Sequence, residues 1–243
     1  MAIPKIIHYC WFGPNDKPDL VKKCMKSWGK LNGYKIVEWN EENFNFSESR
    51  YAMEAQKEKK WAFLSDYVRL KVLYEYGGIY LDTDIEVFKT LDNFLDDDMF
   101  LGFMVNCVLS TSVIGCKPKH KNIKKLIDIY DDLILEDNPN NDLFTEFFKK
   151  EYPNFLLNNK MQDLGDLKIY PKEYFNDPTF NKNINFCVHR YLGSWRKKNP
   201  SKSKKISKFA KKVLGEVVFY KINSYRLNRN SPFYKVYLED KKK

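Results

Sequence analysis

The twenty residues 65–84, SDYVRLKVLYEYGGIYLDTD, constrain the chain more than any other stretch. A run of helical composition ends at paired glycines, the apolar segment Ile79-Tyr80-Leu81 follows, and two carboxylates, Asp82 and Asp84, stand at its tip. Gly77 is well placed as a left-handed C-cap for the helix. The apolar segment reads as a buried strand. A helix passing directly into a buried strand is half of an α/β unit, so the rest of the chain should alternate in the same way.

It does. Residues 3–12, IPKIIHYCWF, are apolar and end at the turn cluster GPNDKP, which makes a first strand opening into a loop. Leu20, Val21, Cys24, Met25 and Trp28 recur at helical spacing, and YKIVEWN then reads as a second strand. YAMEAQKEKKWAFLSDYVRLKVLYEYGG is helical throughout by composition. After IYLDTDIEVF come MFLGFMVNCVL and SVIGC as strands, and HKNIKKLIDIYDDLILED carries a further amphipathic helix through Ile123, Leu126, Ile127, Ile129, Tyr130, Leu133 and Ile134. The prediction is an α/β sandwich around a largely parallel sheet, with one domain over residues 1–195 and a basic C-terminal extension over 196–243.

Other features narrow the class. With 43% hydrophobic residues the chain can bury one sizeable core. Five cysteines, odd in number and without a CxxC pair, indicate neither a disulfide framework nor a zinc knuckle. Met1 to Trp11 runs into the first strand without a basic leader or cleavage site, so a cytoplasmic protein is expected. The charge-poor stretch Met99–Cys116 is broken by polar residues and glycines and reads as strands and loop rather than a membrane span.

Charge is divided unevenly. Residues 190–243 hold 17 Lys and Arg against 3 Asp and Glu, which leaves 25 against 29 for the body. In the tail, Ile206, Phe209, Ala210, Val213 and Leu214 make one face, and Lys204, Lys205, Lys208, Lys211 and Lys212 make the other. Such a helix can lie on an anionic membrane surface, peripheral to the inner face, or pack its apolar side on the domain. Nucleic acid is not expected as a partner, because no zinc or RNP-type motif and no basic cluster around the two aspartates accompanies the charge.

Two aspartates at i and i+2 on a continuing strand point to opposite faces. If the strand ends at Asp82, the loop can turn both towards one cation, and the hard oxygens suit Mg²⁺ or Mn²⁺. Otherwise they are a solvated strand exit. Upstream, Asp66 and Arg69 share a helix face with Ala62 and Leu73, which predicts an ion pair bracketed by apolar neighbours, either as part of a site or as a clamp between helix and sheet.

IPKIIHYCWFG, SDYVRLKVLYEYGGIYLDTD, IYPKEYF and HRYLGSW occur in this order over residues 3 to about 195, and the set resembles the family 32 glycosyltransferases. These include bacterial capsule and lipopolysaccharide sugar transferases, eukaryotic α-mannosyl-, α-galactosyl- and α-N-acetylglucosaminyltransferases and, more distantly, the glucosylating clostridial toxins. The resemblance implies a GT-A fold, a nucleotide-sugar donor, a divalent metal, and retention at the anomeric carbon. It implies UDP as nucleotide and a glycan or lipid-linked oligosaccharide of surface polysaccharide synthesis as acceptor. Residue by residue, Trp11 matches the aromatic stacked on the nucleobase. Ser65, Asp66 and Arg69 match positions that contact ribose and donor sugar. Tyr80 matches a position near the donor and equally fits a core. Asp84 would ligate the metal directly, Asp82 would reach ribose, metal or a metal-bound water, and His189 would close the metal site. Ser194 and Trp195 match the pair on the departing diphosphate. The family often carries Gly-Pro ahead of a threonine on the acceptor side, whereas NPNNDLFTEF offers Pro139 and Thr145 without it.

Three rivals are weaker on the residues. A haloacid dehalogenase-type phosphatase carries its aspartates near the N-terminus with a glycine after the second, and here Ile85 follows Asp84 at mid-chain. A nucleic-acid-binding protein or nucleotidyltransferase rests on tail charge alone. A non-catalytic sugar-binding relative is disfavoured by the intact set Asp66, Arg69, Asp82, Asp84 and His189.

Overall fold

The computed structural model describes residues 2–135, 140–192 and 210–243. Ser194, Trp195, Pro139 and the lysine-rich segment from Lys204 to Phe209 lie outside them. The first strand is β1 (Ile6–Cys10), followed by α1 (Asp19–Ser27) and β2 (Lys35–Trp39). The long helix expected from residue 51 to its cap at Gly77 ends where expected but is instead two helices, α2 (Arg50–Lys57) and α3 (Trp61–Tyr76). The break falls in the charged run Glu58-Lys59-Lys60, where Lys59 takes φ 55° and no apolar side chain anchors another turn to the core. Ser49 caps α2 by accepting from the Ala52 N–H at 3.4 Å.

α3 leads into β3 (Gly78–Leu81), and then come β4 (Ile85–Val87), β5 (Met99–Val105), β6 (Val108–Cys116), α4 (Lys121–Asp132) and α5 (Asn140–Glu151). The expected strand boundary near Leu109 gives way to a β5–β6 hairpin that turns at Asn106 and Cys107. The amphipathic helix after His120 stops at Asp132, leaving Leu133 and Ile134 beyond it, with Ile134 70% exposed. β7 (Gln162–Asp163), β8 (Lys168–Tyr170), α6 (Lys172–Phe175) and β9 (Cys187–His189) follow, then α7 (Glu216–Asn230) and α8 (Tyr234–Asp240).

Seven strands form one sheet in the order β2-β1-β3-β6-β5-β8-β7. Its pairings run parallel between β2 and β1, β1 and β3, and β5 and β8, so that five strands share one direction while β6 and β7 oppose them. This is the mostly parallel α/β sheet with helices on both faces that the alternation predicts. Period-two alternation divides the core. Tyr80, Met99, Leu101 and Ile114 join α2, α3, α4 and α5 on one face. Ile79, Leu81, Phe100 and Val113 join Trp28, Phe94 and Phe175 on the other.

β3 is wholly buried between β1 and β6, and the paired glycines are what let it start there. Gly77 and Gly78 take φ 62° and 98°. A Cβ at Gly78 would stand 2.7 Å from the Ile6 carbonyl oxygen, and one at Gly77 would stand 2.6 Å from the Pro118 ring. No larger residue fits either turn.

The C-terminal helices pack on the body. Asn228 accepts from the Cys107 N–H at 3.2 Å, and the Asp240 carboxylate takes both the Lys149 ammonium at 3.0 Å and the Leu157 N–H at 2.9 Å. All five cysteines are buried and free. Among the described residues no helix is long and apolar enough to cross a membrane.

Candidate active site

The site forms where β1 and β3 end side by side. Ile7 pairs with Ile79 and His8 with Tyr80, so Trp11 and Asp82 leave the same carboxyl edge of the sheet on neighbouring strands. In open α/β sheets this edge is where ligands bind.

β3 stops at Leu81, and the Ile85 N–H bonds back to the Asp82 carbonyl at 3.0 Å. The resulting tight turn puts both carboxylates on one side of the chain. The short pairing of β4 with β9 then sets His189 opposite Ile85, one residue from Asp84, although more than a hundred residues separate them in sequence. One donor atom each from Asp82, Asp84 and His189 falls within a mutual 4.8 Å.

Asp84 is the fixed member. One oxygen lies 3.1 Å from His189 Nε2, the other accepts from the Leu192 N–H at 2.7 Å, and the Asp84 carbonyl accepts from the Arg190 N–H at 3.0 Å. Burial opposes its ionisation, but the imidazole, the Leu192 N–H and the N–H of Asp84 itself outweigh burial and hold its carboxyl below the usual range. Burial likewise opposes a charged His189, while the Asp84 charge and hydrogen bond lift the imidazole above its ordinary value. The loop that wraps Asp84 is kept in place by Tyr191, which sits in the left-handed region at φ 52°. Its ring stacks on His189 with centroids 4.1 Å apart, and its hydroxyl accepts from the Asn176 amide.

These residues fit a divalent ion. Two carboxylates and an imidazole are donors that Mn²⁺ accepts readily, and the oxygens alone suit Mg²⁺. In an octahedron with bonds of about 2.1 Å, adjacent donors lie about 3 Å apart, which is the separation of Asp84 and His189. His189 Nδ1 is buried without a hydrogen-bond partner among the described residues.

Arg69 joins the helix to the aspartates. It is 4% exposed, with its guanidinium 2.8 Å from Asp66, 3.4 Å from Asp82, and donating to the Thr111 carbonyl at 2.8 Å. The guanidinium also lies 4.6 Å from the Tyr80 ring centroid, while Tyr80 itself is buried and donates to Asp82 at 3.1 Å. Burial pushes the Asp66 carboxyl up to about 6, against the Arg69 charge and the Asn140 amide that donates to it at 2.7 Å. Ser65 caps this corner, with its hydroxyl on the Ala62 carbonyl at 2.7 Å and its own carbonyl accepting from Arg69.

Trp11 lies apart from this cluster, along a groove of about 390 Å³ that Gly13, Asn15, Lys17 and Lys22 also line. Its indole N–H donates to the Asn15 carbonyl at 2.9 Å, and the Lys17 ammonium stands 5.4 Å from its ring centroid.

Several residues escaped sequence reasoning. Asn140 and Asn141, at the start of α5, tie Asp66 and Thr111 together, since Asn141 accepts from both the Thr111 N–H and its hydroxyl. The doublet stood inside the segment read for its missing Gly-Pro, and nothing in its spacing marked it. Thr145, which the sequence placed on the acceptor side, is fully buried and accepts from the Leu109 N–H at 2.9 Å, which is a structural role. Asp177 is 6% exposed beside Asn176, and burial pushes its carboxyl up to about 7. A carboxyl whose folded value is raised costs stability wherever it is ionised, so the penalty grows as pH climbs from about 4 to 7 and then stays constant. Asp177→Asn is expected to raise the melting temperature by roughly 2–4 °C at pH 8 and not at pH 4, as read by calorimetry.

Residues 18–101 match a family model described as a glycosyltransferase sugar-binding region containing a DXD motif. An uncharacterized glycosyltransferase of Acanthamoeba polyphaga mimivirus is 29% identical over 213 residues, 79% of this chain and 84% of that protein. Inositol phosphoceramide mannosyltransferase 3 of Schizosaccharomyces pombe is 30% identical over 131 residues, 52% of this chain but 36% of that protein. Among solved structures, the PaToxG glycosyltransferase superposes with a TM-score of 0.53 at 18% identity, over 63% of this chain and 71% of that one, a likeness of fold.

Proposed function

We propose that this chain, an enzyme of the glycosyltransferase class with a GT-A type fold, moves a hexose from a nucleotide sugar, UDP by preference, to a glycan or lipid-linked oligosaccharide. The finer assignment to family 32, with retention at the anomeric carbon and a place in surface polysaccharide synthesis, is part of the same reading. What carries it is the convergence of Asp82, Asp84 and His189 within 4.8 Å at the carboxyl edge of the sheet, next to a buried arginine. The similarity to a mannosyltransferase whose name specifies a ceramide lipid adds weight to a lipid-borne acceptor.

Asp82, Asp84 and His189 would hold Mn²⁺ or Mg²⁺, which when bound neutralises charge on the departing diphosphate. Arg69 braces Asp82 and, through Asp66, keeps a carboxylate facing the donor-sugar side, where positive charge builds on the anomeric carbon. The acceptor oxygen bonds to that carbon on the face from which the phosphate oxygen departs, and the acceptor's proton passes to that phosphate oxygen. No carboxylate nucleophile is then needed. A slow donor analogue that left a sugar attached to a protein carboxylate would overturn this step.

The reading is tested with a panel of nucleotide sugars, scored for hydrolysis with and without Mn²⁺. One donor should turn over, with activity removed by chelator and restored by the ion. If none binds and the ion has no effect, the reading fails. Trp11 supplies a finer check, since base stacking is worth about 1–3 kcal/mol. Trp11→Ala should raise the donor KM by roughly tenfold with kcat nearly unchanged, and Trp11→Phe should recover most of it.

A further inference from the structure

The polarity of α7 is inverted. Its inward stripe at i, i+4 and i+8 is Tyr220, Ser224 and Asn228, one aromatic ring and two polar side chains, all buried. The Tyr220 hydroxyl donates to the His189 carbonyl at 2.8 Å, and Asn228 accepts from Cys107. The outward stripe at i, i+4 and i+7 is Val218, Ile222 and Tyr225, exposed by 36%, 46% and 60%. Val213 and Leu214, just ahead of the helix, and Leu227 are exposed too. A second element adds to this surface, because Phe180, from the loop after α6, is 74% exposed with the Lys221 ammonium 5.4 Å from its ring centroid. A helix on the surface of a soluble domain ordinarily shows the opposite distribution, and apolar side chains gathered outside mark a contact surface.

Charge selects the partner. Within residues 216–230 the basic Lys221, Arg226 and Arg229 face a lone acid, Glu216, which already holds Arg190 at 2.6 Å and also Lys211. Over residues 210–243 there are nine Lys and Arg against three Asp and Glu. A protein partner with an apolar patch would need no such excess, whereas an anionic lipid surface needs both parts together. Apolar side chains enter the headgroup boundary, tyrosine suits that boundary, and basic side chains meet phosphates.

We propose that the outward face of α7, together with Phe180, docks on an anionic lipid bilayer. Through Tyr220 on His189 and Glu216 on Arg190, the same helix is seated against the strand that carries His189 to Asp84. Docking therefore holds the candidate active site next to the bilayer, where a lipid-borne acceptor would present its sugar. The surface stands on its own residues and goes beyond the donor chemistry.

The full chain is sedimented with phosphatidylcholine vesicles, with and without phosphatidylglycerol at roughly one lipid in three. It should pellet with the anionic vesicles only and be released by salt. Val218→Asp combined with Ile222→Asp should weaken binding at least tenfold while donor hydrolysis in the same preparations is unchanged. Lys221→Glu combined with Arg226→Glu, which leaves the apolar stripe intact, should also weaken it severalfold. Equal binding to neutral vesicles, no binding, or binding that survives both double variants overturns the proposal. So does a concentration-dependent dimer, in sedimentation velocity, that the aspartate pair dissolves, since the face would then join two copies of the chain. Loss of hydrolysis in the unaltered chain with vesicle binding intact would sink the donor reading and leave this surface standing.

Discussion

Asp84→Ala is expected to lower metal-dependent donor hydrolysis by about 10³-fold or more, while Asp82→Ala costs about 10–100-fold. The two aspartates share a motif but not a setting. The Asp84 carboxylate is tied to the His189 imidazole and to the Leu192 N–H, so its loss removes a ligand and loosens the β9 exit that delivers another, which keeps only the main-chain bond from the Arg190 N–H to the residue 84 carbonyl. The Asp82 carboxylate is more exposed and, among the described residues, is held by the side chains of Tyr80 and Arg69. Mn²⁺ affinity followed by electron paramagnetic resonance should separate the two effects. Asp84→Ala should abolish tight binding, and Asp82→Ala should weaken it by roughly tenfold. Asp84→Asn keeps the size and one acceptor, so a variant that folds at the parental melting temperature yet binds no ion would place the defect in ligation and not in folding. Equal losses from Asp82→Ala and Asp84→Ala would contradict the unequal roles.

Much of this arrangement was legible because the local chemistry leaves few options. Paired glycines after a helix and before an apolar strand force a tight entry into the sheet, and the register of β1 on β3 then carries Trp11 and Asp82 to one edge. Asp66 and Arg69 follow from helical geometry alone, and their ion pair is found at 2.8 Å. The break between α2 and α3 was not legible, because a charged run of good helix formers carries no breaker residue, yet Lys59 adopts φ 55° in a turn whose N–H groups bond back to the Gln56 and Ala55 carbonyls. The place of His189 beside Asp84 depends on a three-residue strand pairing, too short to leave a periodic trace, and motif resemblance supplied it in advance of any pattern. Asn140, Asn141 and Thr111 were invisible for a related reason. They act through single hydrogen bonds between elements distant in sequence, and amide side chains carry no spacing rule that announces such a role.

Arg69→Met should destabilise the fold by about 3–5 kcal/mol and remove activity, because it strands two carboxylates that the arginine holds together. The guanidinium is 5% exposed, and its partners Asp66 and Asp82 are 15% and 26% exposed, so little water is at hand to replace it. Arg69→Lys keeps a charge but not the fork that reaches Asp66, Asp82 and the Thr111 carbonyl at once, and it should fold with activity lowered by about 10²-fold. Adding Asp66→Asn to Arg69→Met separates structure from chemistry. Removing the stranded charge at Asp66 should recover a large share of the lost stability, by urea denaturation, since an amide can still accept from Asn140. Donor hydrolysis should not recover with it, because the bracing of Asp82 is still gone. If stability and hydrolysis returned together, Arg69 would serve only to neutralise Asp66. If neither returned, the pair would be coupled through Thr111 and Asn140 as one polar network, in which no single charge carries the cost.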